Sequence, residues 1–523
     1  MKLTPIFLVI SLSLLSLPLR AEDGSRLWLR FSNSEVGQTQ KQITSKHKSP
    51  SVNIAKDELN SCWEGQPIEL RFDRKLKHLK DGYIINSETN KIVISAFKGI
   101  GLLYGSYHLL RLQETGENLD SLNMQEVPSY DIRILNHWDN LDGTIERGYA
   151  GYSLWKWSEL PTTIFPRYKE YARANASIGI NATVLNNVNA SPDILKEEYL
   201  LKVKALADVF RPHGIKVYLL VNFSLPKVLS GLENSDPINL DVQKWWKYKA
   251  KEIYTLIPDF GGFLVKANSE EQSGPHDYGR SHADGANMLA DALKPYNGIV
   301  MWRAFVYSPN DKDRAKQAYN EFVPLDGQFR DNVIIQIKNG PIDFQPREPF
   351  NPLFEALQKT PEMVEFQITQ EYLGFSNHLV YLAPLFKETL DSDTYSNGES
   401  STVAKITDGT LCQQKFTAIS AVANVFTELQ HLIVTKTIRA TVSPGAIFSR
   451  TGSQIPQCFF PLKPVIQRNA FYCASTRPAH KGGLQAGKHF GYIFSQTIGT
   501  VLECFFGKER DIIQPNGTHS IKF

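Results

Sequence analysis

The chain has 523 residues, of which 42% are hydrophobic and 21% charged, and it carries a formal net charge of +3. That length exceeds one compact core and implies about two to four domains, while the composition excludes a wholly disordered chain and a multi-span membrane protein. No basic stripe points to nucleic acid, and the cysteines (Cys62, Cys412, Cys458, Cys473, Cys504) are odd in number and lack C-x-x-C spacing, so neither a zinc site nor a full disulfide framework is expected.

Residues 1–21 read as a secretory signal: Lys2, an apolar run from Ile6 to Leu17, then Leu19-Arg20-Ala21 before Glu22 and Asp23. An uncleaved anchor is the alternative, but the run falls short of the ~20 apolar residues that span a bilayer, and no later run reaches that length. A soluble mature chain is expected, periplasmic or extracellular, with no membrane contact after cleavage.

Residues 22–127 predict a small α/β domain, in which the strand-like Lys91–Ser95 runs into an amphipathic helix over Gly99–Gln113. Gly99, Gly101 and Gly105 are mis-spaced for a dinucleotide loop, and helix-to-strand packing explains them more simply.

From residue 128 to 425 short apolar runs recur between helical or polar stretches. Asp131–Leu135, Ile180–Leu185, Ile215–Val221, Gly262–Val265, Gly298–Phe305, Val333–Ile337 and Val364–Ile368 are strand candidates, and an eighth is either Leu379–Leu382 or Ile419–Val425. Buried strands alternating with helices indicate βαβ units, and eight of them predict a closed (β/α)8 TIM barrel, with an open doubly wound sheet as runner-up. Residues 426–523 hold four acidic residues against eleven Lys and Arg and show no clear periodicity. This basic tail is expected to be disordered, truncated or frameshifted.

In a barrel, residues just past the strands converge on the C-terminal mouth, where active sites lie. Those positions hold Glu270, Asp343 and Glu371, carboxylates of the kind glycoside hydrolysis needs as acid and base, although strand-end acids also cap helices. Lys266, Arg303 and Lys338 bring cations to the same mouth, which suits an anionic substrate or pairing with the acids. Trp138, Trp302, Tyr278 and Tyr372 are candidates for stacking on sugar rings or, equally, for the core. The stretch Gly274–Gly285 is dense in possible ligands, but His276 and His282 lack zinc spacing, and a loop over the site is the better reading. No G-x-S-x-G elbow, P-loop or H-E-x-x-H is present.

Four stretches, Leu135–Tyr149, Gly262–Glu270, Gln336–Pro349 and Glu365–Gly374, closely resemble the microbial α-glucuronidases of glycoside hydrolase family 67, and the likeness covers about residues 25–425. It implies an inverting hydrolase that needs no metal or organic cofactor and releases glucuronic or 4-O-methylglucuronic acid, α-1,2-linked to the terminal xylose of acidic xylo-oligosaccharides. By that likeness Glu270 is the general acid, Asp343 and Glu371 activate water, and Trp138, Val188, Lys266, Arg303 and Lys338 line the glucuronate pocket. Inversion would set the acid roughly 6.5–9.5 Å from the base carboxylates. Family members form homodimers through a long helical domain after the barrel, which is not recognisable here, so the barrel is expected to lack its eighth helix and expose apolar surface. Two other expectations follow: a remnant that binds acidic oligosaccharides without cleaving them, and a different barrel glycosidase such as a hexosaminidase.

Overall fold

The computed structural model describes residues 27–29, 31, 42–148, 150–270, 272–306, 313–342, 344, 348–368, 383–411, 414–423, 513–514 and 517–518. The expected signal and nearly all of the basic tail lie outside them. Among the described residues no helix is long and apolar enough to cross a membrane.

The N-terminal unit is built on strands β1 (Ile43–Ser45), β2 (Ile68–Phe72), β3 (Tyr83–Glu88), β4 (Lys91–Ala96) and β5 (Asn123–Glu126), in the sheet order β1-β2-β4-β3-β5. Helices α1 (Pro50–Cys62) and α2 (Gly99–Thr115) pack on the sheet and on each other. Helix α2 is apolar around most of its circumference and buried from Gly101 to Leu110, as a helix wedged between two layers must be. Its glycines serve that packing: a Cβ on Gly101 would meet the Gly82 carbonyl at 2.6 Å, and one on Gly105 the Ile94 side chain at 2.5 Å. They are close-approach points, not a nucleotide loop.

Eight parallel strands close the second unit into a barrel: β6 (Ile132–Asn136), β7 (Ala182–Val184), β8 (Lys216–Val221), β9 (Gly262–Val265), β10 (Ile299–Arg303), β11 (Val333–Lys338), β12 (Glu362–Ile368) and β13 (Ala418–Ala423). Closure comes from β13 pairing with both β12 and β6, Val422 opposite Asn136 and Gln367, so the open-sheet alternative is excluded, and the eighth strand, Ala418–Ala423, overlaps the Ile419–Val425 candidate; Leu379–Leu382 lies outside the described residues. Helices α3 (Pro166–Ser177), α4 (Glu197–Phe210), α5 (Leu225–Ser230), α6 (Leu240–Leu256), α7 (His282–Leu293), α8 (Arg314–Phe322), α9 (Leu353–Ala356), α10 (Ala383–Asp391) and α11 (Val403–Thr407) surround it. Each strand is covered on both faces, which is why the strands read as short continuous apolar runs. The outward Ile419, Ala421 and Ala423 of β13 are 1%, 3% and 0% exposed, and the stretch after this strand, where an eighth helix was expected to be missing, lies outside the described residues.

Strand periodicity places the functional residues. Leu264, Met301, Ile334, Met363, Ile134 and Ala418 form the apolar interior of the barrel, whereas Val265, Trp302, Ile335, Val364, Leu135 and Ile419 belong to the outer core beneath the helices. Two residues further along each inward row stand Lys266, Arg303, Gln336, Glu365, Asn136 and Ser420. The interior therefore changes from apolar to charged within one pleat of the mouth. The units dock through α1 and α3, where Arg173 donates to both carboxylate oxygens of Glu58, at 2.5 and 2.7 Å, and Trp28 Nε1 donates to the Ala174 carbonyl.

At the opposite end, Glu362 opens β12 with its carboxyl group fully buried and neither oxygen hydrogen-bonded among the described residues. Burial, reinforced by Asp326, raises its pKa well above the usual carboxylate value, so it folds as the neutral acid. The unfolded chain ionises near the ordinary value while the folded chain does not, so this group's contribution is present below that pH and is lost as pH rises toward the folded pKa. Glu362→Gln is accordingly expected to be more stable than the parent at neutral pH and indistinguishable from it near pH 4. Thermal melts across that range test this; a gap independent of pH counts against it.

Candidate active site

The hairpin that follows β6 is locked before it reaches the mouth. His137 hydrogen-bonds Tyr171 at 2.8 Å, and Ser153 donates to Asp139 at 2.6 Å. Asn187, in the turn after β7, donates to the Trp138 and Glu146 carbonyls at 3.0 and 3.1 Å. Glu146, whose N–H donates to the Trp138 carbonyl across the hairpin, adopts φ +55°, a left-handed backbone that side chains other than glycine avoid unless the surroundings impose it. The same device recurs after β9, where Asn268 and Glu270 both sit at φ +49°. There the Asn268 side chain accepts from the His276 backbone and donates to Asp277, and Gly274 is required because a Cβ would lie 2.0 Å from Asn268 Oδ1.

These loops bring five of the eight expected residues into one chain of neighbours around Glu270. Lys266 donates to Glu270 Oε2 and to Asn189 Oδ1, the latter at 2.8 Å. Arg147 reaches Glu270 Oε1 at 3.3 Å and lies 3.7 Å from Glu146. Arg303, on the next strand, is near enough to Lys266 to repel it. Both Arg303 and Lys338 face the Phe305 ring, at 6.0 and 3.2 Å, and Lys338 also lies 4.5 Å from the Phe344 ring. Phe344 in turn packs against Trp138, ring centres 6.3 Å apart, and Trp138 shares the inner cluster with Val188. Asp343 and Glu371 lie outside the described residues, and with them the acid-to-base distance. Trp302 corrects the stacking expectation: flanked by inward Met301 and Arg303, it points outward into the core with 0% exposure. Tyr278 packs against the same outer core and accepts from the Ser235 backbone at 3.1 Å, and Tyr372 lies outside the described residues.

The electrostatics are those of a buried charge cluster. Burial is the largest influence on Lys266 and lowers its pKa, opposed mainly by the adjoining Glu270. Burial, with help from Glu270, raises the pKa of Glu146, against the pull of Arg147 and Lys266. Arg303 donates to Glu365 Oε2 at 2.6 Å while Asn136 donates to its Oε1 at 3.0 Å, all three buried. Glu365, Glu146, Arg147 and Asn189 were not singled out from sequence. Around this cluster Trp138 Nε1, Arg303 Nε and both amide atoms of Gln367 are buried with no hydrogen-bond partner among the described residues. An unpaired buried polar atom costs roughly 1–3 kcal/mol, so such atoms mark where a polar ligand gains most.

The histidine-rich loop has a different use. His276, His282 and Glu321 bring ligand atoms within 4.8 Å of one another. Trp302 Nε1 donates to His282 Nδ1 at 3.3 Å, which assigns the ring proton to Nε2, and Nε2 donates to Glu321 Oε2 at 3.0 Å. Burial depresses the His282 pKa and keeps the ring neutral. With Nε2 protonated and Nδ1 engaged, neither nitrogen has a lone pair for a metal, and the residues brace α7 against α8.

Over residues 112–430 the chain matches the model of the glycosyl hydrolase family 67 middle domain. The chain belongs to glycosyl hydrolase family 67. It is similar to "Alpha-glucuronidase A" of Emericella nidulans, 45% identical over 360 residues, covering 66% of this chain and 42% of that protein. It is similar also to "Alpha-glucuronidase" of Hypocrea jecorina, 43% identical over 362 residues, covering 67% of this chain and 43% of the relative. The chain thus spans about two fifths of the length of these relatives. Among solved structures, a GH138 enzyme targeting pectin rhamnogalacturonan II aligns over 72% of this chain and 46% of its own, at 15% identity and a TM-score of 0.46. A β-N-acetylhexosaminidase from Bacteroides fragilis covers 87% and 89%, at 13% identity and a TM-score of 0.42. Neither likeness is close enough to bear on function. The family 67 match includes every element that forms the cluster around Glu270, from β6 to β13.

Proposed function

We propose that this chain is the catalytic core of an exported, inverting α-glucuronidase that releases glucuronic or 4-O-methylglucuronic acid from the acidic xylo-oligosaccharides derived from glucuronoxylan. The observation that carries the reading is the placing of three inward cations, Lys266, Arg303 and Lys338, at the ends of three adjacent strands, with Lys266 bonded to the carboxylate of Glu270. A uronic acid is a sugar with one carboxylate, and paired cation hydrogen bonds recognise that group and orient the ring. In this scheme Glu270 protonates the glycosidic oxygen as the bond breaks, while Asp343 and Glu371 take a proton from the water attacking the anomeric carbon from the other face. Trp138 and Val188 supply the apolar wall, and the amide of Gln367, without a partner among the described residues, faces the sugar hydroxyls. Export rests on the signal-like N-terminus.

The test is incubation of the purified chain with a reduced aldouronic acid, following 4-O-methylglucuronic acid by chromatography and its first-formed anomer by NMR. Release of the β-anomer is expected. Binding without release from a folded, monodisperse sample would favour a non-catalytic oligosaccharide binder, and hydrolysis of an N-acetylhexosaminide with aldouronic acids untouched would sink the reading.

A further inference from the structure

A general acid must carry a proton when its substrate arrives, yet Glu270 stands between two cations. Lys266 donates to one carboxylate oxygen and Arg147 to the other. Among the described residues, charged groups facing it include Lys266 from its own segment, Glu146 and Arg147 from the hairpin after β6, and Arg303 from β10 by way of Lys266. Hydrogen bonds from cations favour the charged form of a carboxylate, and an anion cannot protonate a leaving group. The two cations are not equivalent. The Arg147 side chain is 60% exposed and screened by water, whereas the Lys266 side chain is 1% exposed.

We infer that the carboxylate of the uronic acid takes Lys266 away from Glu270, so that the anionic substrate itself converts the proposed acid into its proton-carrying form. This coupling rests on the uronate reading above. Lys266 needs an anion beside it, because burial and Arg303 both oppose its charge. A substrate carboxylate can replace that of Glu270 in this role, and a neutral sugar cannot. The exchange balances: Lys266 keeps its three protons and moves one hydrogen bond from Glu270 to the substrate, and Glu270 takes one proton from solvent. That proton passes to the glycosidic oxygen as its bond to the anomeric carbon breaks. Water gives its oxygen to that carbon and its proton to the base carboxylates. Glu270 is then an anion again, and Lys266 returns to it as product leaves. Selectivity for acidic sugars would thus arise in the protonation state of the acid as well as in binding.

The coupling predicts that glucuronate binds with uptake of a proton. Calorimetric titrations at pH 7 in buffers of different ionisation enthalpy should show on the order of one proton taken up per glucuronate bound by the wild-type chain. Glucuronamide, the uncharged isostere, should bind without uptake, a comparison that needs no variant. Glu270→Gln should bind glucuronate with uptake abolished. Glucuronate binding with no proton uptake overturns the coupling while leaving the uronate pocket standing. Uptake that persists in Glu270→Gln, or that glucuronamide also produces, overturns it by placing the proton on Lys266 or Glu146. No binding of glucuronate to a folded chain removes the pocket reading, and the coupling with it.

Discussion

Glu270→Gln is expected to lower turnover of a reduced aldouronic acid by roughly 10²–10⁴-fold, the usual contribution of a positioned general acid, with the Michaelis constant little changed. Glutamine keeps one oxygen for Lys266 and gives up the more exposed contact with Arg147, while it has no acidic proton to give. The site tolerates the change structurally, because the Glu270 side chain is 28% exposed and its loop is held by Asn268, Gly274 and Asp277 and not by the carboxylate. The loss should shrink with the leaving group's need for a proton, so an aryl glucuronide with an acidic phenol should be cleaved by the variant at a rate approaching the parent's. Equal losses on both substrates would place Glu270 outside proton donation, and unchanged turnover would remove it from the mechanism.

The barrel was legible in the sequence because its strands are covered on both faces and therefore stand out as apolar runs between polar segments. The clearest departure is β7, shorter than Ile180–Leu185 suggested. The Asn181 side chain accepts from the Arg133 backbone at 2.8 Å and donates to the Asp131 carbonyl at 2.8 Å, while its own backbone still bonds Arg133 and Lys216 on either side. The cations were legible because they follow or end strands, and strand ends meet at one mouth. What was hidden depends on phase. Trp302 and Arg303 are neighbours in sequence, yet the pleat sends one into the outer core and the other into the barrel, and composition alone does not say which. Glu365 was hidden for the same reason, being inside β12 and not beyond it. Arg147 was invisible for another: it meets Glu270 only because Asn187 and the hydrogen bonds of the hairpin after β6 fold that loop across the mouth, bridging 123 positions of sequence.

Arg303→Met is expected to cost about 3–5 kcal/mol of folding stability in addition to activity, the range for removing one member of a buried ion pair. Arg303 and Glu365 have side-chain exposures of 2% and 1%, and their contact is a single charge-assisted bond of 2.6 Å. Without the guanidinium, the Glu365 carboxylate keeps the Asn136 amide as its one partner among the described residues, in a low-dielectric layer. The cost therefore lies in the stranded carboxylate more than in the lost bond, and that distinction can be measured. Adding Glu365→Gln to Arg303→Met removes the stranded charge, so the double variant should recover most of the stability in chemical denaturation, a coupling of the size expected for residues in direct contact. Activity should not recover with it, because the proposed contact between Arg303 and the substrate carboxylate is still missing, and the loss should be greater on glucuronides than on the matching glucosides. Recovery of both together would make Arg303 a structural counter-ion for Glu365. A loss below about 1 kcal/mol in the single variant would mean that water reaches Glu365 and that the layer is less dry than its burial indicates.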